Sequence, residues 1–263
     1  MIAVVAVTRI PQPGMMGILV AHLAIPVLAW LVVHAPPSRT GRILRAAYPI
    51  VLVVGLYTAI DVLNGFGAAS TRDHLVQRFD QALFGMQPSR DWWRAAPSAF
   101  WSTVMHLAYL SFYVVVPGPL VYFLRRRENE LLERYLDGVF ITFLACYLIF
   151  ALVPVSGPYY QFPRPTGAFV ANLPARLVYA LLRSGSAYGA AFPSSHVAAM
   201  VAATIGGWRG SRRLGMALAI PTALLTVGVV YCQMHYVADS VAGLLLGALV
   251  GGIATRKRKG DSP

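Results

Sequence analysis

Apolar runs of membrane-spanning length recur along this chain, at 15–34, 46–63, 100–124, 135–154, 192–208, 214–232 and 236–254. About 20 apolar residues cross a bilayer as a helix, which satisfies all of its backbone polar groups within itself. Composition agrees: 57% of residues are hydrophobic and 12% charged, about half the charge of a soluble domain. The chain is therefore expected to be all-α, a polytopic membrane helical bundle of about seven transmembrane helices, and soluble classes are excluded. Of the 22 Lys and Arg, 14 fall in the loops 35–45, 125–134 and 209–213 and in the tail, and 8 on the opposite side. The richer side should be cytoplasmic, which places the C-terminus inside. The net charge of +12 is topogenic on this reading; it calls for no nucleic acid and leaves room for contacts with anionic lipid.

Two short polar motifs interrupt the apolar pattern. Pro193-Ser194-Ser195-His196 opens one span, and His235-Tyr236-Val237-Ala238-Asp239 opens another. The two spans between the histidines return the chain to the face it left, so both histidines can meet at one membrane surface, here the extracytoplasmic one. His235 and Asp239 stand four apart, on one face of a helix. A carboxylate accepting the Nδ1 proton fixes the tautomer and frees Nε2 as base or nucleophile. Pro193 and the two serines suit a helix start, where free backbone N–H groups attract an anion. A nucleophilic His235, an acid His196 and a phosphate cradle of Ser194, Ser195 and Arg164 together describe phosphoryl transfer. Either motif alone is common by chance; their pairing at the ends of spans sharing a face carries the assignment, since ionisable groups beside membrane segments are expensive.

These motifs resemble the second and third signature motifs of the type 2 phosphatidic acid phosphatase (PAP2) superfamily, over roughly residues 45–255. Phe79–Gly85, His106–Ser111 and Pro154–Pro158 look most like its inositolphosphorylceramide synthase branch. The resemblance implies a six-helix core, a phosphohistidine intermediate, no cofactor, and the same roles for His235, His196 and Asp239. The chain departs from the pattern in its cations. Arg164-Pro165 fits the end of the phosphatase branch's first motif, but Gly157 stands at that motif's lysine, and Gly228-Val229 stand where that branch has Ser-Arg. Many bacterial relatives of the synthase branch place Arg where this chain has Tyr159 and Gln233. Arg164 is the main cationic ligand left.

The expected organisation is an N-terminal segment, 1–44, with one added span, a catalytic membrane domain, 45–255, and a basic tail, 256–263. Asp61, near the end of the second span, is either a solvated helix end or a headgroup contact. In the long loop 65–99, Asp73–Phe84 has the pattern of an amphipathic helix lying in the membrane interface. Trp92, Trp93 and Trp101 suit an interfacial aromatic belt. His106 and Tyr109 on the third span either bond between helices or join Tyr159 and Gln233 in a headgroup pocket. The loop 155–190, with Arg164, Arg176 and Arg183, is placed to carry specificity. Cys146 and Cys232 are read as unpaired, and the scattered histidines imply no metal. The expected function is an integral membrane phosphotransferase or phosphatase acting on membrane lipids that bear phosphate esters, with transfer of a phospho-headgroup between lipids ahead of hydrolysis of phosphatidic acid or a prenyl diphosphate. The competing class is a non-catalytic lipid transporter with a degenerate site. A bacterial plasma membrane is the expected location; the oligomeric state is not legible.

Overall fold

The computed structural model describes residues 15–36, 38–64 and 70–255. The N-terminal run 1–14 and the basic tail 256–263 lie outside the described residues. The helices, in chain order, are α1 (Met15–Val33), α2 (Arg39–Leu63), α3 (Asp73–Phe84), α4 (Pro88–Ala95), α5 (Ala99–Leu110), α6 (Phe112–Val115), α7 (Gly118–Arg126) and α8 (Asn129–Leu152). The one-turn α9 (Pro158–Gln161) follows, then α10 (Leu173–Gly185), α11 (Ser195–Gly210), α12 (Arg212–Tyr231) and α13 (Val237–Ala254). Among the described residues no strand forms; Val155 and Ala190 make an isolated bridge.

Among the described residues, four stretches are long and apolar enough to cross a membrane: Ala99–Arg126, Asn129–Leu152, Arg212–Tyr231 and Val237–Ala254. These four coincide with the expected third, fourth, sixth and seventh spans. α1 and α2 run for 19 and 25 residues, and each holds an apolar stretch among the described residues, Leu23–Val33 and Leu52–Asp61. α11 has 16 residues, about 24 Å of helix against a hydrocarbon core of roughly 30 Å. It is the central helix, enclosed by α8, α12 and α13, so its length is matched to protein neighbours rather than to lipid.

The third expected span is broken into α5, α6 and α7. Ser111 Oγ donates back to the Ala108 carbonyl at 2.6 Å, a bond that competes with the helix ladder. Pro117 and Pro119 remove two backbone donors where α7 begins. The loop 155–190 also contains more structure than expected, because α10 is a full helix. Asn172 caps it, accepting from the Ala175 N–H at 2.9 Å, and a proline in its first turn supports the start.

Close packing of α11 on α13 sets the core. Gly243, Gly247 and Gly251 of α13 face Ser194, Ala198 and Ala202 of α11. A Cβ on these glycines would lie 2.5 Å from the Ser194 carbonyl oxygen, 2.3 Å from that of Ala198 and 2.8 Å from the Ala202 Cα. A stripe of small residues at every fourth position lets two membrane helices meet backbone to backbone. On the other side of α11, Val197 and Met200 join Leu218, Leu225 and Val229 of α12 and Tyr109 of α5 in the largest apolar cluster.

Candidate active site

The first motif is built around the start of α11. Ser194 is its N-cap: the side-chain oxygen faces the Val197 N–H at 3.5 Å, and its own N–H donates to the Asp239 carbonyl at 2.9 Å. Ser194 is fully buried, so it serves the helix start and the joint with α13 rather than the cavity wall. Ser195 and half-buried His196, one step further, line the cavity.

The second motif follows the end of α12. Gln233 takes a left-handed conformation, φ 57°, and the chain reverses so that the Met234 and His235 N–H groups both donate to the Val229 carbonyl, each at 2.9 Å. This turn delivers His235 to the same cavity as His196. His235 Nδ1 stands 3.4 Å from Asp239 Oδ2, long for a hydrogen bond. Nδ1 and Asp239 Oδ1 are buried and have no other partner, so closing this contact when substrate binds satisfies the imidazole; such bonds often tighten in the substrate complex. Asp239 Oδ2 also accepts from the Tyr236 N–H at 2.9 Å. Burial pushes the His235 imidazole down to about 4, with the Ala191 backbone opposing. It is therefore neutral at physiological pH, the form a nucleophile requires.

The amphipathic segment forms α3 over the expected residues. Its apolar side, Leu75, Phe79, Leu83 and Phe84, faces outward, while Asp73, Val76 and Asp80 are buried against the protein. Asp80 accepts from the Val237 and Ala238 N–H groups, at 2.9 and 3.1 Å, fixing the first turn of α13 beside Asp239. Burial raises the Asp80 carboxyl above its ordinary range, and these two amides pull it back. Asp73 accepts from Ser156 N–H and Oγ, from Gly157 N–H and from the Tyr236 hydroxyl, at 2.8 to 3.0 Å. Two carboxylates on one face of α3 thus hold both the catalytic turn and the loop opposite it.

Of the expected headgroup residues, two reach the cavity. Tyr109 hydrogen bonds with His196 Nε2 at 3.1 Å and stacks on its ring. Tyr159 forms part of the wall. His106 is fully buried and donates from Nδ1 to the Ser102 carbonyl at 2.7 Å, within its own helix. Gln233 ties loops together, accepting from Trp93 Nε1 at 2.8 Å and donating to the Pro163 carbonyl at 3.0 Å. Trp93 is accordingly buried, not in an aromatic belt, whereas Trp92 and Trp101 are exposed. Asp61 is half-buried, and its Oδ1 accepts from the Tyr188 N–H at 2.9 Å. Tyr57, Ser156, Tyr160 and Ser186 also line the cavity without having been singled out from the sequence. Tyr57 and Tyr160 belong to apolar or aromatic stretches, and only their place in the fold distinguishes them. Cys146 and Cys232 are buried and free.

The missing cations have steric counterparts. Gly157 has φ +89°, and a Cβ there would sit 2.9 Å from Ala191 Cβ, so no side chain enters where the resemblance has lysine. Val229 is an interior residue of the main apolar cluster. Arg164 lies in a neighbouring pocket, its guanidinium 4.3 Å over the Tyr159 ring. No Lys or Arg is among the residues lining the histidine cavity.

The cavity volume is about 40 Å³, little more than one water's share of liquid. Tyr57, Tyr109, Leu182, Ser186, Ser195 and His196 also wall an adjoining, mainly apolar groove of about 310 Å³. Two imidazoles, one oriented by a carboxylate and one held by a tyrosine, thus face a small space that opens beside an apolar channel. Paired imidazoles of this kind have the chemistry for nucleophilic and acid–base catalysis. No curated protein and no solved structure matches the chain. A family model for the PAP2 superfamily matches residues 74–253, which include both histidine motifs and Asp80 of α3, and the chain belongs to that superfamily.

Proposed function

We propose that this integral membrane protein is a lipid phosphotransferase of the inositolphosphorylceramide synthase type. It moves a phospho-headgroup from a lipid phosphodiester to the hydroxyl of a second lipid. The observation that carries the reading is the shared cavity of His196 and His235, free of Lys and Arg on its walls and continuous with an apolar groove. A phosphodiester bears one negative charge and can be held by backbone N–H groups and hydroxyls, whereas a dianionic monoester calls for more cationic clamping. The groove accommodates an acyl or isoprenoid chain beside the reacting phosphate.

In the first half-reaction His235 Nε2 attacks phosphorus, the P–O bond to the lipid alcohol breaks, and His196 gives its proton to the departing oxygen. Asp239 holds the Nδ1 proton and stabilises the charge that develops on His235. In the second half-reaction His196 takes the proton of the incoming hydroxyl, whose oxygen displaces His235 from phosphorus. Water in place of that hydroxyl gives hydrolysis. Because the cavity is so small, substrate entry requires its walls to part along the groove side, at Tyr57, Leu182 and Ser186. The excess of basic residues on the opposite loops supports an extracytoplasmic location for the site.

The test is a comparison of donors. Purified protein receives a phosphatidylinositol-type diester with a lipid alcohol, and separately phosphatidic acid or a prenyl diphosphate. Alcohol-linked product from the diester, absent in His235→Ala and reduced about 10²–10⁴-fold in His196→Ala, is the expected result. Rapid phosphate release from the monoester or diphosphate, without alcohol-linked product, would decide for a phosphatase. A correctly folded His235→Ala protein with full activity would sink the assignment.

A further inference from the structure

Beside the catalytic cavity lies a larger pocket of about 570 Å³ on the surface of the 155–190 segment, within the size range of small-molecule sites. Arg164, Arg176 and Arg183 line it together with Tyr159, Tyr179 and Leu177, and no carboxylate lines it. Arg176 and Arg183 stand seven apart on α10, two helical turns, so both look into the same space. Among the described residues none of the three is in an ion pair; the ion pairs present are elsewhere. Tyr159 belongs to this pocket and to the cavity of His196 and His235. The side chains of α10 next to the arginines, Leu173, Leu177 and Leu181, are exposed and apolar, as on a helix lying along a membrane surface.

The contrast in charge decides what the pocket is for. The catalytic cavity has two neutral-capable imidazoles and no guanidinium, whereas three unpaired guanidiniums gather one aromatic ring away. Guanidinium forks match phosphate oxygens in geometry as well as charge. We infer that this pocket is a second anion site, which takes a further phosphate group on the donor's headgroup while the scissile phosphodiester sits between the histidines. The inference rests on the phosphodiester-donor reading for the occupant's identity, but the site itself is defined by the three arginines. The shared chemistry is a phosphate group; it can be supplied by the donor's own headgroup or by free inorganic phosphate.

Binding without turnover tests this independently of the reaction. His235→Ala protein in neutral lipid nanodiscs is doped with phosphatidylinositol or with phosphatidylinositol 4-phosphate, and bound lipid is counted by native mass spectrometry. The second phosphate should tighten binding about tenfold or more, the effect of a charge-assisted contact. Arg176→Gln with Arg183→Gln should erase that preference and leave phosphatidylinositol binding unchanged. Both residues are exposed, so the double variant is not expected to disturb folding. Millimolar inorganic phosphate that competes away the preference supports the site and assigns it free phosphate as an alternative occupant. A preference that survives the double variant, or no preference in the parent, overturns the inference. If no donor is ever turned over yet the arginine-dependent preference is present, the transfer reading has failed and the anion site stands.

Discussion

Replacing Asp80 tests whether α3 controls catalysis from outside the cavity. Its carboxylate accepts from the Val237 and Ala238 N–H groups at 2.9 and 3.1 Å, at the N-terminus of α13. Asp80 lines neither the cavity nor the groove. Alanine leaves two partly buried amides without an acceptor, at about 1–3 kcal/mol each, hence about 2–6 kcal/mol of local stability. The lost attraction between carboxylate and helix terminus falls inside that range. Asparagine keeps one oxygen and should retain about half of the effect. Slack in this turn reaches Asp239 directly and His235 through it, and a displacement of about 1 Å at a reacting group costs on the order of 10²-fold. Asp80→Ala should therefore lower kcat by roughly 10- to 100-fold with the donor KM little changed, and lower the unfolding temperature. Asp80→Asn should fall between it and the parent. Turnover of a phosphatidylinositol-type donor in micelles, with thermal unfolding followed by tryptophan fluorescence, reads both. Phe79→Ala, on the exposed face of the same helix, should leave micellar kcat near the parent value. Wild-type kcat and stability in Asp80→Ala would refute the reasoning.

Four other outcomes follow from particular contacts. His235 is held near 4 against an ordinary 6.5, so kcat/KM for a phosphodiester should stay level through pH 6.5 and fall only near about 4–5; a limb centred at 6.5 would contradict the burial. The same depression means that the unfolded chain takes up the proton first, so the stability contributed by neutral His235 is complete above about pH 6.5 and lost as pH falls toward 4. Tyr109→Phe removes the hydroxyl bonded to His196 Nε2 and should lower kcat about tenfold with KM unchanged, by steady-state kinetics. Gly157→Lys should not restore monoester hydrolysis, because φ +89° and the 2.9 Å approach to Ala191 strain any side chain by about 1–3 kcal/mol; unfolding and phosphate-release assays check this. Reporter fusions at Gly260 and within 160–190 should fall on opposite sides of the membrane, with the tail cytoplasmic.

Much of the site was legible because it depends on spacing. His235 and Asp239 four apart, and two helices between the histidines, required only helix periodicity and the length of the apolar runs. The bounds of α3 followed from its apolar period. What the period could not tell was which face meets the protein. In a soluble chain Asp73 and Asp80 would face water; here Leu75, Phe79 and Leu83 are the exposed side chains and the carboxylates turn inward to backbone amides. Trp93 was misread for a related reason, since an amphipathic group near a span end suits both the interface and an interior bond. The helix α10 had signals, Asn172 followed by an Ala- and Leu-rich run, which were outweighed by the surrounding Gly and Pro. The Gly243, Gly247, Gly251 spacing was also readable, but not its partner helix.

That glycine stripe bears on how the site holds its geometry. His196 rides on the first turn of α11, and Asp239 on the first turn of α13. These two turns are joined by a backbone bond from the Ser194 N–H to the Asp239 carbonyl, at 2.9 Å, directly above the first glycine contact. The spacing of the turns that carry His196 and Asp239 is thus set by two backbones in contact, with no long side chain between them to adjust. Asp80 fixes the same turn from the opposite side, and Asp73 ties it to Ser156 on the cavity wall. A helix whose outer face is apolar therefore holds the inner geometry through two carboxylates. Movement of α3 is restrained by four amide hydrogen bonds, and the wall segment 186–188 is held to the end of α2 by the Tyr57 hydroxyl, Asp61 and Asn64. Opening for substrate should occur toward the apolar groove, whose wall the cavity shares at Tyr57, Leu182 and Ser186, and leave the histidine–aspartate turn in place.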